Sequence, residues 1–415
     1  MRNKIIYYIS LALTTIIVIW IFSTPWEYIK QPLAKKTQEI IANQTVSPKR
    51  LFVSCWRNIK NQYVDPKMNG QDWSRWKKRY LPYIKTNEDV YVAVNSMLQS
   101  LDDPYSRFMN IPEYESQNIN IESNVSGIGI NVMTIADKII VSNVIDDSPA
   151  KKAGLLIGDI ITKINNKSID GVPIEEAVLL IRGTKGTKVT LNIIRNKKPL
   201  IKTIKRDVVR IKNVSHKILP GDIGYIQVAS FMGMYVPQEF EAALKKTTKT
   251  KGLIIDLRGD AGGLLSNAVL IANMFIDEGN VVSVVYRNGL KAKMPAQRSA
   301  IYSDKPIAVI INRGTASASE ILTGALRDNK KAILIGDRTY GKNSVQQIIP
   351  MPNKTGMNLT IAKYLMPNDE DIHNSGIQPD YKVLFTKEDA KNHKDPQLQK
   401  ALEIITKLTE PKRKA

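Results

Sequence analysis

Hydrophobic and polar positions along the 415-residue chain fall into four regimes. The first is a run from Ile5 to Trp26, 22 residues without a charge, preceded by Arg2 and Lys4. At about 1.5 Å per residue such a run spans a bilayer core of roughly 30 Å. Residues 1–26 are therefore expected to form a membrane anchor, with Arg2 and Lys4 on the cytoplasmic side and the rest of the chain outside. A cleavable signal peptide is the competing reading, although Ser23-Thr24-Pro25-Trp26 makes a poor small-residue cleavage site. Lys30, Lys35 and Lys36 on the far side weaken the argument for orientation.

In the second regime, residues 27–120, the period is helical. Gln31 to Val46 is polar and reads as a tether or first helix. From Lys49 to Tyr63 the residues Phe52, Cys55, Trp56, Ile59 and Tyr63 recur at three- and four-residue steps, which places them on one helix face. Val90 to Leu101 behaves likewise, and Asp65-Pro66 and Asn69-Gly70 supply turns between them. These aromatics are expected in a core.

From about Ser126 the period changes to short β-like runs: Gly129 to Thr134, Ile139 to Ile145, Asp159 to Ile164 and Lys188 to Arg195. A helix from Pro173 to Ile181 interrupts them. With about five short strands and the run SPAKKAGLLIGDII from Ser148 to Ile161, residues 121–210 resemble a PDZ domain. In such domains a glycine loop offers backbone N–H groups to the terminal carboxylate of a peptide that adds as a strand to the sheet edge. Gly127-Ile128-Gly129-Ile130 resembles that loop; glycines serving only turn geometry are the alternative.

The fourth regime, residues 211–385, alternates apolar strands with helices. Gly252 to Leu257 and Ile307 to Ile311 read as buried strands, Leu264 to Phe275 and Ser317 to Leu326 as helices, and Ala332 to Ile335 as a strand. The pattern is that of an α/β domain, whose strand ends carry chemistry. The remainder, residues 386–415, reads as a solvated, Lys-rich helical tail.

Composition removes several function classes. Three His and one Cys, with no HExxH or CxxC, argue against a metal centre, and the lone Cys55 has no partner for an intramolecular disulfide. The net charge is +21, but Lys and Arg are spread through every segment, so a solvated surface is favoured over a nucleic-acid partner. A basic surface beside a membrane is also attracted to anionic headgroups.

Chemistry concentrates in three stretches, DLRGDAGG (Asp256 to Gly263), NRGTASASE (Asn312 to Glu320) and YGKNSVQ (Tyr340 to Gln346). In the middle one a strand stops at Asn312, Gly314 permits a sharp turn and a helix starts near Ser317, so a nucleophile there lies beside free helix N–H groups. Thr315, Ser317 and Ser319 as mere capping and packing residues are the bland reading. His216, His373 and His393 are poorly placed to serve as a base. A lysine serves if burial lowers its pKa from about 10.4 toward neutrality, and Lys342, between Gly341 and the strand-like Ser344 to Ile349, is so placed. Gly336 to Lys342 matches a phosphate-loop pattern except that Asn343 stands where Ser or Thr is needed and no helix follows. Gly262 and Gly263 either offer N–H groups to an oxyanion or make a plain turn.

Taken together, the chain resembles the carboxyl-terminal processing (tail-specific) peptidases, serine peptidases that contain a PDZ domain. NGQDW (Asn69 to Trp73) and LDDPYSRFM (Leu101 to Met109) look nearest to the cyanobacterial and chloroplast branch, which trims a photosystem protein. The resemblance implies an α/β multidomain chain: a mixed α/β peptidase core with an inserted PDZ domain and a helical N-terminal region. It implies Ser317 as nucleophile, Lys342 as base, Gln346 as the residue orienting the lysine, and Ala318 with Gly262 or Gly263 as the oxyanion hole. No cofactor is implied, and the partners are protein or peptide substrates with free C-terminal tails, with a homo-oligomer or an adaptor left open. The expected location is extracytoplasmic, periplasm, cell surface or an equivalent of the thylakoid lumen. A silent, membrane-tethered PDZ adaptor is the rival function. Asn343 and Asp260-Ala261 depart from the family's usual glycine and Asn-Pro.

Overall fold

The computed structural model describes residues 40–122, 124–297, 300–302 and 305–410. The run Ile5–Trp26 lies outside them, and among the described residues no helix is long and apolar enough to cross a membrane. The chain divides into two compact units, one running up to Tyr114 and including Gln346–Thr360, the other Glu115–Val345 with the chain from Ile361 onward.

In the first unit, helices α1 (Pro48–Gln62), α2 (Trp73–Tyr80) and α3 (Asn87–Gln99) precede a short strand β1 (Arg107–Met109). The expected face of α1 is the buried one: Phe52, Cys55 and Ile59 are fully enclosed. Trp56 and Trp73 each donate an indole N–H to the other's carbonyl, at 2.9 and 3.1 Å, which locks α1 to α2. A capping box between Thr86 and Asp89 fixes the start of α3. Strand β1 pairs antiparallel with Gly356–Asn358, a segment the sequence reading did not assign to this region.

In the second unit, α4 (Ile111–Glu122) leads into the PDZ-like region. Its strands are β2 (Asn124–Gly127), β3 (Ile130–Ile135), β4 (Lys138–Val144), β5 (Ile160–Ile164), β6 (Lys167–Ser168), β7 (Lys188–Arg195), β8 (Lys198–Lys205) and β9 (Asp207–Arg210). The helices are α5 (Pro149–Lys152) and α6 (Ile174–Ile181). One sheet runs β3-β4-β5-β7-β8, so β3 is an edge strand, and β2 pairs with β9. The hairpin from β7 to β8, closed by Asn196 and Lys197 at positive φ, went unread in the sequence because it lacks a Gly signal.

The core sheet has the order β10 (Val214–Leu219), β11 (Ile223–Val228), β12 (Gly252–Asp256), β15 (Ile307–Ile311), β16 (Ile333–Gly336) and β19 (Tyr381–Lys382). All neighbours are parallel except the antiparallel edge β10. Every residue of β12 and β15 is buried. Such continuous apolar strands need cover on both faces. On one face Leu253, Ile255 and Val309 join the large core with α7 (Val236–Thr247), α8 (Leu265–Ala272) and α9 (Ala318–Asp328). On the other, Ile254, Ala308 and Ile310 pack with Ala401, Ile404 and Ile405. These three belong to α11 (Pro396–Thr409), which follows the short α10 (Lys387–Lys391). Helix α11 is thus part of a core and not a solvated helix, because the second face of the sheet has to be covered. A separate ladder joins β13 (Asn280–Tyr286) to β14 (Lys291–Pro295) and to the Ala362–Leu365 part of β18 (Thr355–Leu365), which pairs with β17 (Ser344–Met351).

Candidate active site

Three segments leave the C-terminal ends of three neighbouring parallel strands, β12, β15 and β16, and meet there. They are the three stretches singled out in the sequence. Two of them are bound together by the side chains of the second. Asn312 Oδ1 accepts from Gly259 N–H at 3.0 Å and from Gly314 N–H at 2.9 Å. Thr315 Oγ1 donates to Leu257 O at 2.8 Å, and Ala316 N–H and Ser319 Oγ both donate to Asp260 O. Thr315 and Ser319 are fully buried and committed to these bonds. Ser317 is different. It is half-buried, caps the first turn of α9 and holds φ 57° with ψ −117°. A non-glycine residue there carries strain on the order of 1 to 3 kcal/mol, as expected of a nucleophile forced onto a sharp strand-to-helix turn. Gly262 comes so close that a Cβ on it would lie 2.5 Å from Ala316 O and 2.9 Å from Ser317 Cβ.

The third segment is tied in by Glu320, a residue whose role the sequence did not reveal. Its carboxylate is fully buried on the first turn of α9. Oε2 accepts from Ser317 N–H at 2.8 Å and Lys342 N–H at 3.0 Å; Oε1 accepts from Gly341 N–H at 2.7 Å and Thr339 Oγ1 at 2.5 Å. Burial pushes this carboxyl above its ordinary pKa, against the opposing pull of the four donors. Tyr364 adds a second clasp, its hydroxyl donating to Lys342 O and lying 3.3 Å from Ser317 O. Tyr340 N–H donates to Thr315 O at 2.9 Å. The backbones of Ser317 and Lys342 are therefore held by the same two side chains. Only the Glu at the third helical position of a capping pattern hinted at this in the sequence.

Lys342 is half-buried rather than enclosed, so the desolvation expected of a lysine base is incomplete. Asn343, the residue that departs from the family pattern, is buried, and its Nδ2 donates to Asp371 Oδ1 at 2.8 Å. The departure is thus accommodated within the fold. The other departure, Asp260, is fully buried, and Oδ1 accepts Gly262 N–H at 2.8 Å while Oδ2 has no partner. Burial raises its pKa to about 7. Of the two glycines considered for an oxyanion hole, Gly262 therefore already spends its N–H on Asp260. Gly263 sits against Phe231, where a Cβ would lie 2.1 Å from Phe231 C, so no other residue fits there. Ala318 is buried at the start of α9.

Gln346 lies on β17, its Nε2 donating to Thr360 Oγ1 at 3.0 Å. His216, His373 and His393 are all exposed. Arg258, beside the glycine turn, is occupied by Asp256 and Asp395 at 2.6 and 2.8 Å. Among the described residues no group of three or more His, Cys, Asp or Glu is arranged to hold a metal ion.

In the PDZ-like region Gly127 ends β2, Ile128 is buried, Gly129 has φ +84° and Ile130 opens β3. The carbonyls of Ile128 and Gly129 accept from Ala150 N–H and Ile145 N–H at 2.8 and 3.0 Å. The loop therefore leads directly into the free edge of the sheet, where α6 packs beside β3.

Three family models match parts of the chain. Peptidase family S41 matches residues 222–383, the PDZ domain residues 126–205, and the Tricorn protease C1 domain residues 47–97. The chain is 32% identical to a carboxyl-terminal-processing protease of Synechocystis over 86% of each protein. It is 40% identical to a carboxy-terminal processing protease of Bacillus subtilis over 72% of this chain and 66% of that one, just under two thirds of the relative's length. A chloroplastic carboxyl-terminal-processing peptidase of Arabidopsis thaliana is 32% identical over 80% of this chain and 68% of its own. Among solved structures, the photosystem II D1 C-terminal processing protease superposes with a TM-score of 0.55 at 28% identity, covering 82% of this chain and 94% of that one. With a helical first unit, a PDZ domain and the S41 core in this order, the chain belongs to peptidase family S41, among the carboxyl-terminal processing proteases.

Proposed function

We propose that this chain is a serine endopeptidase of the Ser-Lys type that cuts proteins near their carboxyl ends, with its PDZ domain engaging the substrate tail. The observation that carries the reading is the pair of backbone N–H groups, from Ser317 and Lys342, on one oxygen of Glu320. It holds the segment bearing a nucleophile against the segment bearing a base.

In the proposed reaction neutral Lys342 Nζ takes the proton of Ser317 Oγ as that oxygen attacks a peptide carbonyl. The carbonyl oxygen gains the negative charge and is met by the N–H of Ala318, at the positive end of α9, and that of Gly263. One such donor contributes roughly 3 to 4 kcal/mol to the transition state. The Lys342 ammonium returns the proton to the leaving amine. Water, deprotonated by the same lysine, then hydrolyses the acyl-enzyme. Because Lys342 is half-buried in the free protein, a polypeptide lying over the site completes its desolvation. Gln346 keeps the lysine-orienting role that the family resemblance implies.

The Gly127–Ile130 loop would receive the tail carboxylate while the tail adds to the edge of β3. Ile5–Trp26 would hold the protein at a membrane with the catalytic part outside.

The test is cleavage of an unfolded protein by wild type, Ser317→Ala, Lys342→Ala and Lys342→Arg. All three variants should be inactive, since Arg keeps its proton at working pH, whereas Gln at His216, His373 or His393 should be tolerated. Near-wild-type turnover by folded Lys342→Arg would falsify the dyad.

A further inference from the structure

Helices α1 and α2 carry eight Lys and Arg residues and not one Asp or Glu. Between them lies a groove of about 1050 Å³, lined by the cations Lys49, Arg50, Lys77 and Lys78 and by the half-buried Val53 and Trp56. No acidic side chain lines it. Lys60 and Lys77 each place an ammonium 5.1 Å from the Trp56 ring, and the paired indole bonds of Trp56 and Trp73 hold that ring in place. Close by in sequence Tyr83 is 75% exposed. Cations interleaved with interfacial aromatics on a rigid helix pair are the composition that anionic headgroups attract.

We infer that this groove is a docking surface for the anionic lipid headgroups of a membrane. The inference rests on the proposed anchor: 21 residues separate Trp26 from Pro48, so the groove stays within about 70 Å of the bilayer even if that segment is fully extended. Lys30, Lys35 and Lys36 on that segment outnumber Glu27 and Glu39 and add to the same attraction. Groove and tether both carry net positive charge, which favours an anionic lipid surface over a second copy of the equally basic chain. Docking holds the first unit at the headgroups and restricts cleavage to tails that reach the membrane surface.

The full-length chain is reconstituted with vesicles of phosphatidylcholine alone or enriched in phosphatidylglycerol, and the acetylation of lysines is followed by mass spectrometry. Lys49 should be protected severalfold in the anionic vesicles relative to exposed Lys249, and high salt should remove the protection. Replacing Lys77 and Lys78 by Gln should remove it as well, since each charge near such a surface contributes about fivefold in binding, and cleavage of a soluble substrate in the absence of vesicles should stay unchanged. Equal labelling of Lys49 on both vesicles while the protein floats with both overturns the groove and leaves the anchor standing. Failure to float with neutral vesicles, combined with flotation on anionic ones that needs Lys77 and Lys78, removes the anchor and supports the groove. Protection that tracks protein density on neutral vesicles, or that arises with polyglutamate and not with anionic vesicles, assigns the groove to a second copy or an acidic protein and overturns the inference.

Discussion

One oxygen of Glu320 accepts the backbone N–H of Ser317 at 2.8 Å and the same oxygen accepts that of Lys342 at 3.0 Å. A neutral amide cannot reproduce this, because it replaces one acceptor oxygen with a donor that would face N–H or O–H donors. Glu320→Gln should therefore lower kcat by about a hundredfold with little change in KM, as a misplaced base does. Glu320→Ala should also unfold at lower temperature, since buried donors left unmade cost about 1 to 3 kcal/mol each. Steady-state kinetics with circular dichroism decide it; an unchanged kcat in Glu320→Gln would show that the clasp does not position the dyad.

Asp260 makes native stability depend on pH. Burial raises its carboxyl from 3.8 to about 7, so the folded state keeps the proton across a window in which the unfolded state has lost it. Stability tied to this group is fully present below about pH 4 and is lost as pH climbs through about 7. Asp260→Asn, which cannot ionise, should gain on the wild type in melting temperature between these values and hold a constant difference above them. Parallel melting-temperature profiles of the two proteins would mean that the carboxyl is not buried in its neutral form.

Gly129 allows the proposed peptide capture to be tested apart from the chemistry. At φ +84°, with a built Cβ 2.3 Å from Ser148 Cβ, it accepts no side chain without moving the loop. Gly129→Val should slow cleavage of substrates with free apolar tails severalfold and leave the reaction of Ser317 with a small fluorophosphonate unchanged. If wild type cleaves amidated and free-carboxylate tails equally well, the terminal carboxylate is not what the domain reads.

Ile405 is fully buried against β12, where a Cβ on Gly252 would lie 2.5 Å from its Cγ2. Ile405→Ala should cost about 2 to 5 kcal/mol, as core truncations do. A solvated helix would register under about 0.5 kcal/mol in the same denaturant titration.

By itself the sequence determined the features that are local. The helical period from Phe52 to Ile59, the strands β12 and β15 and the strand-turn-helix around Ser317 each depend on neighbours a few residues apart, so spacing was enough to read them. Lys342 was legible through its glycine and the strand after it. Its degree of burial was not, since that is set by whatever packs around it. Glu320 reaches a segment 22 residues further on and the Asp260 carbonyl accepts from Ser319 Oγ, 59 residues further on, and no periodicity reports such contacts. Tertiary structure also commits the N–H of Gly262 to Asp260, a contact the glycine turn in the sequence does not announce. The C-terminal helix shows the division most clearly. Apolar residues at every position of Gly252–Asp256 and Ile307–Ile311, Asp256 apart, already required cover on both faces of the sheet, but only the folded chain shows that Ala401, Ile404 and Ile405 provide it. A lysine-rich amphipathic stripe looks the same in sequence whether its apolar side meets a sheet or nothing, because burial depends on the partner surface and not on the helix alone.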